Sequence, residues 1–479
     1  MRLIYILFGI PFFCAACASI GPDYSLPAVA DLPVSWKSDA TWKPAHPADS
    51  FPKKEWWKVF SDKQLDELVD HCLKDNPSLK VSMARLDQAL AQGNAHGAAL
   101  LPTVALNANT TRSRTSSNRP LGNYAVPNSS TVQNDFKPNL TVNYEIDWLG
   151  HVRRDIESAR ASAEQAQADN ENVRLVLTAQ VASAYFQLRQ FDEEIGFISG
   201  SIKLQEKVLN LTRIRHEQGA SAENDVVVQR ALVESSKAQL ELLINQRKQT
   251  EDTLATLTGV PATNFNLSSG ALPATPPEIP ASLPAQLLER RPDIASAERA
   301  MAAANAQIGI AKAAYFPSLN LTPLLGGYES NELSNLISAP SLVWSIGIQA
   351  SQTLFDGGRN RASVEFAQAG YTAALANYRQ SVLIAVQEVQ DALGTLHGLE
   401  AAKQQQDAAV HDQNRSYDLT LLRYKEGLDN AITLATVEQN QLSALRIQSQ
   451  IRGSQFISSV SLLKALGGGW QQADNQLHR

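Results

Sequence analysis

The sequence predicts a mainly α chain with membrane β: a duplicated unit of long coiled-coil helical hairpins, with four β-strands per chain. Three observations carry this. A stretch that turns at a glycine occurs twice, as Leu211–Arg230 and Leu419–Glu438. The run between Pro138 and Pro261 contains no proline and keeps a helical period, and short segments such as Leu140–Trp148 alternate apolar with polar residues.

Each copy of the repeat closes a very long amphipathic run, turns at Gly219 or Gly427, crosses a few polar residues and opens a second helical run. Glycine supplies the left-handed conformation that ends a helix. Ser221, Asn224, Asp429 and Asn430 carry side chains able to cap the helix that follows. Both stretches are therefore helical hairpin tips. A spacing of about 208 residues between Gly219 and Gly427 makes the chain two copies of one unit.

Composition narrows the function classes. The chain has 479 residues, a net charge of -6 and 19% charged residues, so no basic face calls for nucleic acid. Of three cysteines, Cys14 and Cys17 lie at the extreme N-terminus and Cys72 stands alone, which leaves no disulfide framework. The eight histidines show no metal-ligand spacing, and neither a phosphate loop nor a nucleophile elbow is present. This is the sequence of a non-enzyme, without a metal or a cofactor.

Taken in order, residues 1–16 have one basic residue and an apolar core from Leu3 to Phe13, the pattern of a secretory signal. Cys14-Ala15-Ala16-Cys17 resembles a bacterial lipobox, in which Cys17 is acylated and becomes the mature N-terminus. Ala18 after it favours the outer membrane, by resemblance to Gram-negative lipoproteins. Residues 17–62 are rich in Pro and Trp and read as an extended segment over a larger body, with Trp36, Trp42, Trp56 and Trp57 as anchors.

The first repeat, 63–267, opens with helical spacing from Gln64 to Leu100, which Pro102 stops. Strand alternation follows over Thr103–Asn109, then a polar stretch around Asn118–Gln133, then a second strand. In Leu140–Trp148 the residues Leu140, Val142, Tyr144, Ile146 and Trp148 face one way, and Thr141, Asn143, Glu145 and Asp147 the other. A membrane barrel strand needs such faces, and so does a soluble hairpin with one buried side. From His151 the helical pattern runs unbroken to His216, roughly 65 residues and a rod of about 100 Å. Within it Leu177, Val181, Ala184, Leu188, Phe191, Ile195 and Ile198 form a heptad seam. A return helix ends at Leu257.

A proline-rich linker, 268–284, leads to the second repeat, 285–469, and a polar tail, 470–479. Arg291-Pro292 answers Asn76-Pro77. Strands return at Ser318–Leu325 and Ser341–Leu354, a proline-free helix runs to about Tyr424, and the last helix to about Leu466. No later run is long and apolar enough for a membrane helix, so any crossing is made of strands. Four strands do not close a barrel, because open edges are not tolerated in lipid. Several chains must pool theirs.

The start Cys17 with Gly21-Pro22-Asp23-Tyr24-Ser25-Leu26-Pro27, the block Trp56-Trp57 to Asn76-Pro77, the turn Leu354-Phe355-Asp356-Gly357-Gly358-Arg359 and the tip Arg423-Tyr424-Lys425-Glu426-Gly427 resemble the TolC-like outer membrane factors. The likeness is strongest to the lipoprotein branch serving resistance, nodulation and division class efflux pumps. It implies a homotrimer with a twelve-stranded barrel in outer membrane lipid, a periplasmic α-helical tunnel, and a periplasmic adaptor and inner-membrane pump as partners. The resemblance also implies a gate at the tips. By position Tyr424 and Lys425 match the family's tyrosine and basic residue, Asp225 its acidic partner, and Asp429 and Ile432 sit where the lumen narrows. Thr433 and Thr436 depart from the family's frequent aspartates, so no acidic ring is expected there. The expected function is an efflux duct for drugs or other small molecules. The alternatives are a duct for protein or metal ions, and a structural coiled-coil envelope lipoprotein without a lumen.

Overall fold

The structure is a computed structural model that describes residues 19–26, 55–118, 130–277, 279 and 291–468. The signal peptide, the lipidation position Cys17, the anchors Trp36 and Trp42, much of the linker and the polar tail lie outside the described residues. Seven helices are used below: α1 (Lys63–Asp75), α2 (Pro77–Gly97), α3 (His151–Glu217), α4 (Glu223–Leu257), α5 (Pro292–Ala313), α6 (Arg359–Lys425) and α7 (Ala431–Ala465). The duplication shows in their lengths, because α3 and α6 each have 67 residues and α4 and α7 each have 35. Pro77 and Pro292 both stand at a helix start, where the missing N–H costs nothing.

The described residues form two compact units, the first drawn from 19–26, 86–166 and 297–377, the second from 55–85, 167–296 and 378–468. They are not the two sequence repeats; each repeat contributes to both.

The first unit holds an antiparallel sheet of β1 (Thr103–Arg114), β2 (Val132–Glu145), β3 (Ser318–Leu321), β4 (Leu324–Tyr328), β5 (Leu342–Ser345) and β6 (Ile348–Ser351). β2 pairs with β1 on one side and with β3 and β4 on the other, and these pair in turn with β6 and β5. The four expected strands are thus present as four tracks, two of them broken. The breaks fall at Thr322-Pro323, where proline has no N–H to give a ladder, and at Ile346-Gly347. Hydrogen bonding bridges the first break, since the Val142 N–H donates to the Pro323 carbonyl at 3.0 Å.

Several strand boundaries differ from expectation: β1 runs on past Asn109 to Arg114, β4 past Leu325 to Tyr328, and β6 stops at Ser351, short of Leu354. β2 begins at Val132, inside what reads as a polar stretch, because β1 extends to Arg114 and gives it a partner for every residue down to Asn143. At its other end the strand stops at Glu145, so Trp148 is not a strand residue. Asp147 turns the chain there: its carboxylate accepts the Val152 and Arg153 N–H groups at 3.2 and 3.0 Å and starts α3. Trp148 donates its indole N–H to the Pro317 carbonyl at 3.0 Å instead.

The register sorts the sheet into two faces. Val104 lies opposite Val142 and Leu106 opposite Leu140, while Asn107 lies opposite Asn139 on the other face. There the Asn107 amide donates to the Thr141 hydroxyl at 2.9 Å. On the apolar face Leu106 remains 78% exposed and Val104 61%. Among the described residues β1 has a partner on one side only, and so have β5 and β6.

The segment Ile20–Tyr24 is strapped onto the same unit. The Ile20 N–H donates to the Leu149 carbonyl, the buried Arg154 reaches the Asp23 carboxylate at 2.7 Å, and the Tyr24 hydroxyl bonds Glu298. Gly21 has φ +107°, and a Cβ there would meet the Gly309 Cα at 2.6 Å. A Cβ on Gly309 would in turn fall 2.8 Å from the Ile20 carbonyl oxygen. Gly309→Val is therefore expected to lift the strap, read as faster chymotryptic cleavage at Tyr24 with unchanged helix content by circular dichroism.

The second unit is built on an apolar cluster of Trp56, Trp57, Leu65, Val69, Phe186, Leu188, Phe456 and Val460. Trp56–Phe60 is a short 3-10 helix and not extended, because both indoles turn inward to be 2% exposed or less. Phe60, Phe186 and Phe456 stack with centroids 4.8 and 4.7 Å apart. Of the seam residues Leu177, Val181, Leu188 and Ile198 are buried, while Ala184, Phe191 and Ile195 are half-buried against the same apolar clusters. Beside them Asp192 accepts from Arg189 at 2.6 Å, from Arg247 at 2.6 Å and from the Gly270 N–H at 3.0 Å. That cluster ties the start of the linker to α3 and α4.

Candidate functional site

Both tips close as their glycines dictate. Gly219 and Gly427 adopt φ +74° and +77°. Behind them Ala220 N–H bonds the Arg215 carbonyl at 2.8 Å and Leu428 N–H the Arg423 carbonyl at 2.9 Å, which satisfies carbonyls that the helix leaves open.

The helices that leave the tips are capped in opposite ways. In the first copy the N-cap is Ala222, which has no acceptor, so Asp225 one turn in reaches back to the Ala222 N–H at 3.3 Å and takes the Ser221 hydroxyl at 2.8 Å. Asn224 does not cap. In the second copy Asn430 caps α7 itself, its side-chain oxygen accepting the Thr433 N–H at 2.8 Å and the Thr433 hydroxyl at 2.9 Å. With the repeat offset, Thr433 is the counterpart of Asp225 and Asn430 that of Ala222. The missing acid at Thr433 follows from the asparagine three residues earlier.

Tyr424 is the centre of the site. It is 3% exposed and packs with Val208, Tyr417, Ala431 and Leu434. Its hydroxyl lies 2.6 Å from that of Thr212, and Thr212 donates to the Val208 carbonyl at 2.9 Å, so Tyr424 is the donor between them. Arg215 completes the joint. Its guanidinium sits 4.8 Å from the Tyr424 ring centroid and donates to the carbonyls of Tyr424 and Lys425 at 3.0 and 2.9 Å. Gln229 on α4 adds a bond to the Ala431 carbonyl at 2.9 Å. The first hairpin thus holds the last turn of α6 and the first of α7.

Among the other expected residues, Asp429 pairs with Arg423 at 2.7 Å inside its own hairpin. Ile432 is 45% exposed and shares the open face of α7 with Thr433 and Thr436, away from Leu434 and Ala435. The Lys425 side chain is exposed, and among the described residues it makes no ion pair. Within one chain, Asp225 and Tyr424 are not hydrogen-bonded to each other. Thr212, Arg215 and Gln229 are the residues that sequence reading missed. A signal existed for Arg215, since the repeat offset aligns it with Arg423.

Among the described residues no helix is long and apolar enough to cross a membrane, and the strands carry an exposed apolar face at Val104, Leu106 and Leu140. The family model "Outer membrane efflux protein" matches residues 68–260 and 283–468. The chain belongs to that family. This efflux channel is similar to the pyoverdine export outer membrane protein OpmQ of Pseudomonas putida, 32% identical over 440 residues and 92% of each chain. It is also similar to the toluene efflux pump outer membrane protein TtgC of Pseudomonas putida, 30% identical over 475 residues, 98% of this chain and 96% of that one. Among solved structures it matches the outer membrane channel CmeC of Campylobacter jejuni with a TM-score of 0.88 at 26% identity, over 96% of each chain. The protein is an outer membrane efflux channel, with a duplicated helical hairpin and a β domain.

Proposed function

We propose that three copies of this chain pool their strands into one twelve-stranded barrel, that the helical hairpins continue it as a periplasmic tunnel, and that Cys17 carries a lipid anchor in the outer membrane. The channel is a passive duct without catalysis or cofactor of its own. An inner-membrane pump drives the cargo, and a periplasmic adaptor docks at the tips around Gly219 and Gly427. Small organic molecules fit as cargo, as they do for relatives named for pyoverdine and toluene export.

The observation that carries this reading is the sheet. Its apolar face is exposed and both of its edges lack partners among the described residues, an arrangement stable in lipid only when further copies close it. The tip joint supports the gate. Tyr424 and Asp225 hold the closed form, and Lys425, Asp429 and Ile432 stand where the duct narrows.

Asp225→Ala with Tyr424→Phe removes a helix cap and a hydroxyl bond, each worth on the order of 1 kcal/mol per copy. The expected result is a higher single-channel conductance in a planar bilayer. Unchanged conductance in a conducting trimer would remove these two residues from the gate, whereas a compact monomer with no conductance would remove the duct itself.

A further inference from the structure

Eleven residues beyond Gly427, α7 buries an acid that the tip joint does not use. Glu438 is 3% exposed, and neither of its carboxylate oxygens has a hydrogen-bond partner. It lines a cavity of about 220 Å³, whose walls include Phe197 and Leu204 of α3, Tyr417 of α6, and Leu442 of α7. Gly196 and Gly200 of α3 leave the space, and a Cβ on either would meet nothing within 4 Å.

A buried charge without a partner is costly, so such a group is met by a side chain or a ligand, or else holds its proton. Among the described residues no side chain supplies that partner. The α3 residues on the wall carry no charge, and α6 contributes only the Tyr417 phenol, itself pushed up to about 12 by burial first and by Glu438 next, with Asp418 beside it. On α7, Arg446 is engaged by Glu194 at 3.1 Å, and on α4, Lys237 is held by Glu206 and Glu234 at 3.1 and 3.5 Å. What the site lacks is a donor with positive charge.

We infer that this cavity is a binding site for a small monovalent organic cation, a primary ammonium on a short carbon chain, with Glu438 as its counter-charge. The ammonium head matches the two open oxygens, and the aromatic rings of Phe197 and Tyr417 on the wall suit a cation. The carbon chain suits the leucines. Space is sufficient, since an apolar cavity of about 150 Å³ already accepts benzene.

The proton is the competitor. Burial pushes the Glu438 carboxyl up to about 7 from 4.5, so the fold is unpenalised below pH 4.5 and loses stability as pH rises through 7. A bound cation lifts that penalty, and its affinity must therefore grow with pH.

The test is calorimetric titration of the full-length protein in detergent with butylammonium chloride, against sodium chloride at equal ionic strength. Saturable binding of one butylammonium per chain is expected at pH 8, weaker on the order of tenfold at pH 5.5. It is expected to be lost in Glu438→Gln and also in Gly200→Leu, which fills the cavity and keeps the carboxylate, so a folding failure of the first variant leaves the second to decide. No saturable binding at pH 8 overturns the inference, as does unchanged affinity in the variants. So does a structure of the trimer at pH 8 in which a lysine or arginine of a neighbouring copy sits on Glu438.

Discussion

Arg215→Ala is expected to unlock the tip more than any other single change in it. Arg215 makes two charged hydrogen bonds to carbonyls at the C-terminus of α6 and covers the face of Tyr424. A hydrogen bond from a charged group contributes roughly 1.5 to 3 kcal/mol when screened from water. The outer of these two is exposed, so about 2 kcal/mol per copy for the whole joint is the fitting magnitude. Hydrogen exchange of the backbone between 420 and 432 should accelerate correspondingly, and bilayer recordings should show longer open times. Arg215→Lys should not restore the parent behaviour, because an ammonium cannot span two successive carbonyls and stack on a ring as a planar fork does. If the lysine variant exchanged as slowly as the parent, a point charge would suffice and the fork geometry would be irrelevant.

The largest loss of stability is expected from Asp192→Ala. This carboxylate is 3% exposed and serves two arginines and the Gly270 N–H. Its removal leaves the Arg189 guanidinium, 2% exposed, without its ion pair. Breaking one side of a buried pair costs about 3 to 5 kcal/mol, because the remaining charge is stranded away from water. The midpoint of denaturant unfolding should fall sharply, and the segment 267–270 should become open to proteolysis. A variant with parent-like stability would show that Ser268 and Gln64, which also receive Arg189, are enough to hold it.

Helix ends were the most legible part of this chain, and the reason is local. A run free of proline with a heptad seam must be a long helix, and a glycine in left-handed conformation must end it. Hence α3 closes at Glu217, one residue from its expected end. The strand limits were less legible because pairing, which is not local, decides them: β2 starts where β1 still offers a partner. The tip joint lay further from reach. Nothing near Arg215 says that its guanidinium will serve carbonyls two hundred residues away. Glu438 was readable in hindsight of its neighbours, since Leu434, Glu438 and Leu442 follow one another at four-residue steps on a buried stripe.

The opposite caps of α4 and α7 leave the two tips unequally free to vary. Because Asn430 already starts α7, the position one turn in is released from structural duty, and its side chain is free to be neutral or acidic without endangering the helix. The first copy has no such liberty, since Asp225 alone does the work that Ala222 cannot. A doubled architecture thereby holds one fixed foothold at Asp225 and one adjustable position at Thr433, so the charge of the proposed rim can be altered while the scaffold stays as it is.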